Sequence, residues 1–306
     1  MVPPAEFTSY YGRPVLKEPV WKSLDVAGYL FFGGLAGASS TLAAFAQLSG
    51  NRELARASKT AAAGAISLSA AALVHDLGRP ARFLNMLRVF KMTSPMSVGS
   101  WLLAGYGPVA GAAAASAVTG RLPRAGAAAT AAAGVLGPAI ATYTAALLAN
   151  TAVPAWHDSH REMPYLFAGS AASAAGGLAM LAVRPAHASQ AIRFAVLGGA
   201  AELTAKSLLL RRLGPAAEPY QSGRAGTLME AAEVLAAAGL AGAVLTAGRS
   251  RAATAISGAA LVAASALTRF GIFEAGLASA RDPKYTVGPQ RERLNASPGG
   301  NPRTPG

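Results

Sequence analysis

The sequence predicts an all-α, polytopic membrane protein of eight helical spans, and three observations carry that prediction. The 306 residues are 52% hydrophobic and only 13% charged, where soluble domains carry about 25% charged residues. Apolar runs recur at about the 20-residue length a helix needs to cross hydrocarbon. Short polar linkers such as "GNRELARA", "TGRLPR", "VRPAH" and "AGRSR" part those runs.

The spans are read at 24–49, 58–75, 95–119, 124–150, 164–183, 188–210, 226–247 and 251–273. The chain thus divides into an extramembrane segment 1–23, a transmembrane domain 24–273 and an extramembrane tail 274–306. Residues 1–23 are polar and contain prolines, with no apolar signal-peptide core, so the first span is expected to act as its own insertion signal. Span one, "FFGGLAGASS", sets Gly33 and Gly37 four apart, and small residues let helix backbones approach closely in lipid. Span two runs into "DLGRPARFLNMLRVFKMTSPMSVGSW" (76–101), where Gly78 and Pro80 read as a helix stop. This segment sets Arg79, Arg82, Arg88 and Lys91 against a single acid, Asp76. Span four carries a Gly137-Pro138 pair that permits a kink, and Tyr143 about two turns before its end. A tyrosine there commonly anchors at the interface, and its phenol can also hydrogen-bond a carbonyl ligand.

Spans six to eight hold several ionisable residues. "AAELTAKSLLL" places Glu202 and Lys206 four apart on one helix face, with Glu202 near the middle of the span. Such residues are expensive in a bilayer and are either paired or functional. Glu230 and Glu233 fall at the start of span seven, at headgroup level or as a next stop for protons. Together Glu202, Lys206, Glu230 and Glu233 form a candidate proton path. Arg269 and Glu274 fall near the end of span eight, where long side chains snorkel. The tail after Arg281 is Pro/Gly-rich and charged, a composition typical of disorder.

The formal charge of +13 does not mark a nucleic-acid binder. Most cations sit at span ends or in the tail, which suits lipid headgroups and topology. Both termini lie on one side of eight spans, here called the N-side, and the loop cations weakly favour a cytoplasmic N-side. The chain has no cysteine, so it cannot hold an iron–sulfur cluster or a thiolate metal site by itself. Its four histidines, His75, His157, His160 and His187, all lie at or near span ends, so no haem pair is expected. "WHDSH" (156–160) reads as a solvated loop rather than a metal site.

One long stretch is more specific. "DLGRPARFLNMLRVFKMTSPMSVGSWLL" (76–103) resembles the signature of the NrfD/PsrC family, the quinone-reactive membrane anchors of molybdopterin oxidoreductases. "YGRPVLKEPVWKSLDVAGYLFFGGLAGASS" (11–40) and "YTAALLANTAVPAWHD" (143–158) look like that family's first span and its fourth span with the following loop. "ELTAK" and "YQSGRAG" agree less specifically.

The resemblance implies two four-helix bundles in the bacterial cytoplasmic membrane. It also implies a ferredoxin-like four-cluster iron–sulfur partner, a molybdopterin catalytic subunit, and bound menaquinone or ubiquinone. By position, the family's quinone site falls on Trp21, Lys22 and Asp25, on His75, Asp76 and Gly78, and on Tyr143. Where some members place an Asn/His pair at the start of span one, this chain has Trp21-Lys22. The cations Arg79, Arg82, Arg88 and Lys91 then serve partner docking or the electrostatics of the site. The rival class is a secondary transporter built on the Glu202/Lys206 pair, although no internal repeat is found.

Overall fold

The computed structural model describes residues 16–79, 81–245 and 250–288. Of the tail after Arg281 that was expected to be disordered, residues 284–288 are helical, and the part beyond 288 lies outside the described residues, as does most of the N-terminal segment. Eight long helices follow in order: α1 (Ser23–Leu48), α2 (Arg52–Asp76), α3 (Pro95–Thr119), α4 (Pro123–Ala149), α5 (Met163–Ala182), α6 (Ser189–Leu213), α7 (Gly223–Leu245) and α8 (Arg251–Arg281). Among the described residues there is no β-strand.

Seven of the eight are long and apolar enough to cross a membrane by length and composition. The exception is α6, which carries Arg193, Glu202, Lys206, Arg211 and Arg212. It manages that load by burying Glu202 and seating Lys206 against a neighbouring helix. The last helix runs on to Arg281, two turns past the span expected to end at residue 273.

Helix ends follow from local chemistry. Asn51 accepts a hydrogen bond from the Leu54 amide (3.2 Å) and Ser94 from the Ser97 amide (3.4 Å), so each caps the first turn of its helix. Pro95, Pro123 and Pro164 each sit in a first turn, where no amide is needed. Gly78 stops the chain just beyond α2 with φ +70°, a conformation costly to residues with a Cβ.

The helices pack as two groups of four. α1 packs on α2 and α4, with α3 closing the group against α2 and α4. α5 packs on α6 and α8, and α7 lies on α8. α1 also crosses to α5 and α8 and is the most deeply buried helix, while α2, α3 and α7 turn most of their surface outward. Glycines set these distances. A Cβ on Gly37 would strike the Gly137 carbonyl, and one on Gly137 would strike that of Gly37. Gly177 and Gly258 stand in the same relation between α5 and α8. The small residues of the sequence are therefore backbone contact points, the geometry that holds helices together where lipid removes the hydrophobic drive.

Candidate functional site

On the N-side, the connection after α4 folds inward as a short helix, Pro154–Asp158. It drives Trp156 into the protein, fully buried, with Nε1 donating to the Ile272 carbonyl at 2.8 Å. The indole rests against Gly276, where a Cβ would overlap it, and beside Phe273 at 5.6 Å. The Ala155 amide donates to Ser279 Oγ (3.2 Å), and the Ala155 carbonyl accepts from the Tyr220 hydroxyl (2.7 Å). This plug holds Trp21, whose ring stacks on Trp156 at 5.8 Å with 19° between planes.

Trp21 forms one wall of a cavity of about 100 Å³ between the start of α1, the end of α2, the start of α3 and the end of α4. Tyr29, Asp76, Met86, Gly99 and Tyr143 supply other walls. Tyr143 and Tyr29 hydrogen-bond through their hydroxyls, with their rings edge-on at 6.3 Å. Gly99 leaves the space that the Tyr143 ring fills. The walls are mostly apolar with a few convergent polar groups, the usual makeup of a small-molecule site. Typical ligand pockets run to about 300–1,000 Å³, so this one suits a flat head group rather than a whole long-tailed ligand. A larger groove of about 380 Å³ on the same face carries the exposed Lys284–Glu218 pair, but no comparable set of buried hydroxyl and carboxyl groups.

An ionic cluster borders the cavity. Asp76 Oδ1 accepts from the Lys22 amide at 3.3 Å, tying the end of α2 to the start of α1. Asp25, almost fully buried, meets His75 Nδ1 at 2.8 Å and Lys22 Nζ at 3.9 Å. Nearby, Ser23 Oγ donates to Glu274 Oε1 (3.0 Å), and Arg224 reaches Glu274 at 3.8 Å. Among the described residues Asp76 makes no ion pair with Arg79, the partner nearest in sequence.

The expected site residues fall into three groups. Trp21, Asp76 and Tyr143 line the cavity. Lys22, Asp25 and His75 form the neighbouring cluster and do not line it, and Gly78 is the turn that ends α2. Arg79, Arg82, Arg88 and Lys91 are all exposed, and none meets a carboxylate among the described residues. The Arg82 side chain bonds locally, to the Leu77 carbonyl (3.1 Å). Leu84, Val89, Phe90 and Met92 stand exposed among them.

The expected Glu202–Lys206 pair does not form. Lys206 instead meets Glu233 at 2.6 Å on α7, and Glu202 accepts from Thr268 at 2.8 Å on α8. The i, i+4 spacing allows the pair, but each side chain has a better partner on another helix. Glu230 is exposed. Arg269 does not snorkel either: it is fully buried, its guanidinium over the Phe167 ring at 3.8 Å. Snorkelling needs a helix end, and α8 continues three turns beyond Arg269. His157 and His160 each direct Nδ1 to a backbone carbonyl, and no three His, Cys, Asp or Glu side chains converge on a metal position among the described residues.

Sequence reasoning missed Tyr29, Met86, Gly99 and Trp156. Tyr29 offered one signal: it lies one turn beyond Asp25, on the same face of α1. Trp156 offered none, because its contacts lie over a hundred residues away.

A model of the family described as polysulphide reductase, NrfD, matches residues 13–197, more than half of the chain. The chain belongs to the NrfD family. No curated protein matches it. As an NrfD protein it is a multi-pass membrane subunit of polysulphide-reductase-like redox complexes, and its NrfD match spans all four helices around the cavity.

Proposed function

We propose that this NrfD protein is the quinone-reactive anchor of a molybdopterin oxidoreductase complex in the bacterial cytoplasmic membrane. In this reading it exchanges electrons between a ferredoxin-like iron–sulfur partner and menaquinone or ubiquinone, with proton transfer. The observation that carries the reading is the ring-sized cavity walled by Trp21, Tyr29, Tyr143 and Asp76.

The residues fit a quinone head. A quinone is a flat apolar ring with two carbonyl oxygens, and when bound it supplies two-electron, two-proton chemistry. Trp21 offers a ring face, and the Tyr143–Tyr29 pair offers a hydroxyl donor for one carbonyl. Asp76 is a carboxyl group at the cavity wall able to hold or release a proton, and Asp25 and His75 form a second acid–base pair beside it. The chain has no cysteine and so brings no cluster of its own, which leaves electron delivery to a partner. The exposed basic and apolar stretch from Arg79 to Lys91 lies on the same N-side face and suits docking of an acidic iron–sulfur protein.

The test is quinone-linked turnover of the purified complex carrying Tyr143→Phe or Asp76→Asn. A fall of tenfold or more in either, with assembly intact, is expected. Unchanged turnover in both would remove the proposed site.

A further inference from the structure

A second polar site lies at the meeting of the two helix groups, and none of its residues lines the cavity. Glu202 on α6 is 4% exposed and Arg269 on α8 is 1% exposed. Glu202 Oε1 accepts from Thr268 Oγ1 at 2.8 Å, and beside it Ser170 Oγ donates to Ser265 Oγ at 2.8 Å. Arg269 Nη2 donates to the Phe167 carbonyl at 2.8 Å. The same guanidinium points at Gly34 of α1, where an added Cβ would sit 3.3 Å from Nη2. That leaves one acceptor, Glu202 Oε2, and two donors, Arg269 Nε and Nη1, buried with no protein partner. The two charged groups do not close on each other as a direct ion pair among the described residues.

We propose that Glu202, Arg269, Thr268, Ser170 and Ser265 form a buried, water-holding proton-binding site between the two helix groups, with Glu202 as the group that gains and loses the proton. This deepens the proton-transfer part of the reading above and rests on it. Buried polar groups without partners are rare, and water commonly serves them, making about three hydrogen bonds. One acceptor and two donors are that complement. The Phe167 carbonyl and ring give Arg269 contacts of its own, apart from Glu202.

Depth and surroundings agree. At 1.5 Å per residue, Glu202 lies about 16 Å along α6 from its Leu213 end, near the middle of a hydrocarbon core about 30 Å thick. The charged groups facing Glu202 are Arg269 from α8 and Lys206 from its own helix. α5 contributes only the Ser170 hydroxyl, and α7 contributes Glu233 through Lys206. Lys206 lies one turn nearer the N-side, bonded to the half-exposed Glu233, and so marks the way out. On release, the Glu202 carboxyl O–H bond breaks and its proton joins the held water. The carboxylate left behind faces the Arg269 charge, and uptake reverses the step.

The experiment is infrared difference spectroscopy of the full chain in lipid, stepped in pH and exchanged into heavy water, without quinone. A carboxylic-acid carbonyl band that appears on acidification and shifts in heavy water is expected. Glu202→Gln should abolish it, Glu202→Asp should restore a shifted one, and Tyr143→Phe should leave it in place. The chain's other acids give bands of their own, so the Glu202 band is the one missing from the Glu202→Gln spectrum; native and Glu202→Gln spectra that do not differ in this region overturn the proposal. If Glu202→Gln fails to insert, Thr268→Val decides: losing its hydrogen bond must move the band, and an unmoved band overturns the site. Because no quinone enters this readout, its failure is separable from failure of the quinone reading.

Discussion

Trp21 stacks on Trp156 at 5.8 Å, joining the start of α1 to a short helix 135 positions later in the chain. Trp156 is the fixed member, buried and bonded to Ile272, and Trp21 is the cavity wall it supports. Stability and the shape of the site are therefore linked at this contact.

Trp156→Ala is expected to lower stability by about 3–5 kcal/mol, the usual range for losing a buried large aromatic. It should also weaken quinone binding by releasing Trp21. Gly276→Ala should act on the same contact from the other side, costing about 1–3 kcal/mol by overpacking the indole. Thermal unfolding in detergent checks both.

Tyr143→Phe keeps the ring over Gly99 and removes only the hydroxyl. Losing one hydrogen bond in a buried site costs about 1–3 kcal/mol, or roughly 5- to 150-fold in affinity. Tyr29→Phe should produce a smaller loss of quinone affinity if Tyr143 is the direct donor, and titration of a quinone analogue by fluorescence quenching of Trp21 compares the two.

Gly37→Val should separate α1 from α4, because the Gly137 carbonyl already occupies the space. Loss of helix packing is expected, seen as faster proteolysis of the N-terminal half in bilayers. Gly28→Ala, where nothing lies within 4 Å of the added carbon, is the matched control and should behave as native.

Arg212 grips Glu162 with a two-pronged guanidinium contact at 2.6 Å, clamping the end of α6 to the turn before α5. The guanidinium hydrogen bonds hold the Glu162 carboxyl below its ordinary value of 4.5. A lowered folded-state value means the clamp stabilises above the unfolded carboxyl's range and is lost as pH falls through the folded value. For a partly exposed pair the effect is at most about 1 kcal/mol. Glu162→Gln should flatten the acid side of the stability–pH curve, and denaturation midpoints between pH 6 and about 3 read this directly.

Charge reversal at Arg82 and Arg88 should leave the fold unchanged, since both side chains are exposed and bear no carboxylate partner among the described residues. Co-purification with the iron–sulfur partner should fall, and should depend more steeply on salt in the native complex than in the variants.

Periodicity and composition were enough to place every long helix, because a bilayer imposes a length of apolar chain that is visible without a structure. The basic stretch after α2 and the tyrosine late in α4 were legible for a related reason: charges and phenols near apolar spans are few and stand out. Partner choice was not legible. Lys206 sits one turn from Glu202 yet pairs with Glu233, and Arg269, near an expected helix end, lies buried beneath three more turns. Spacing along one helix fixes which side chains share a face. Which neighbouring helix that face meets is set by backbone contacts such as Gly37 against Gly137 and Gly177 against Gly258. The sequence by itself determined the membrane architecture and the chemical types at the site. Only the tertiary structure decided that Trp156 supports Trp21, that Tyr29 meets Tyr143, and that Glu202 faces Arg269, because those contacts join residues far apart in the chain.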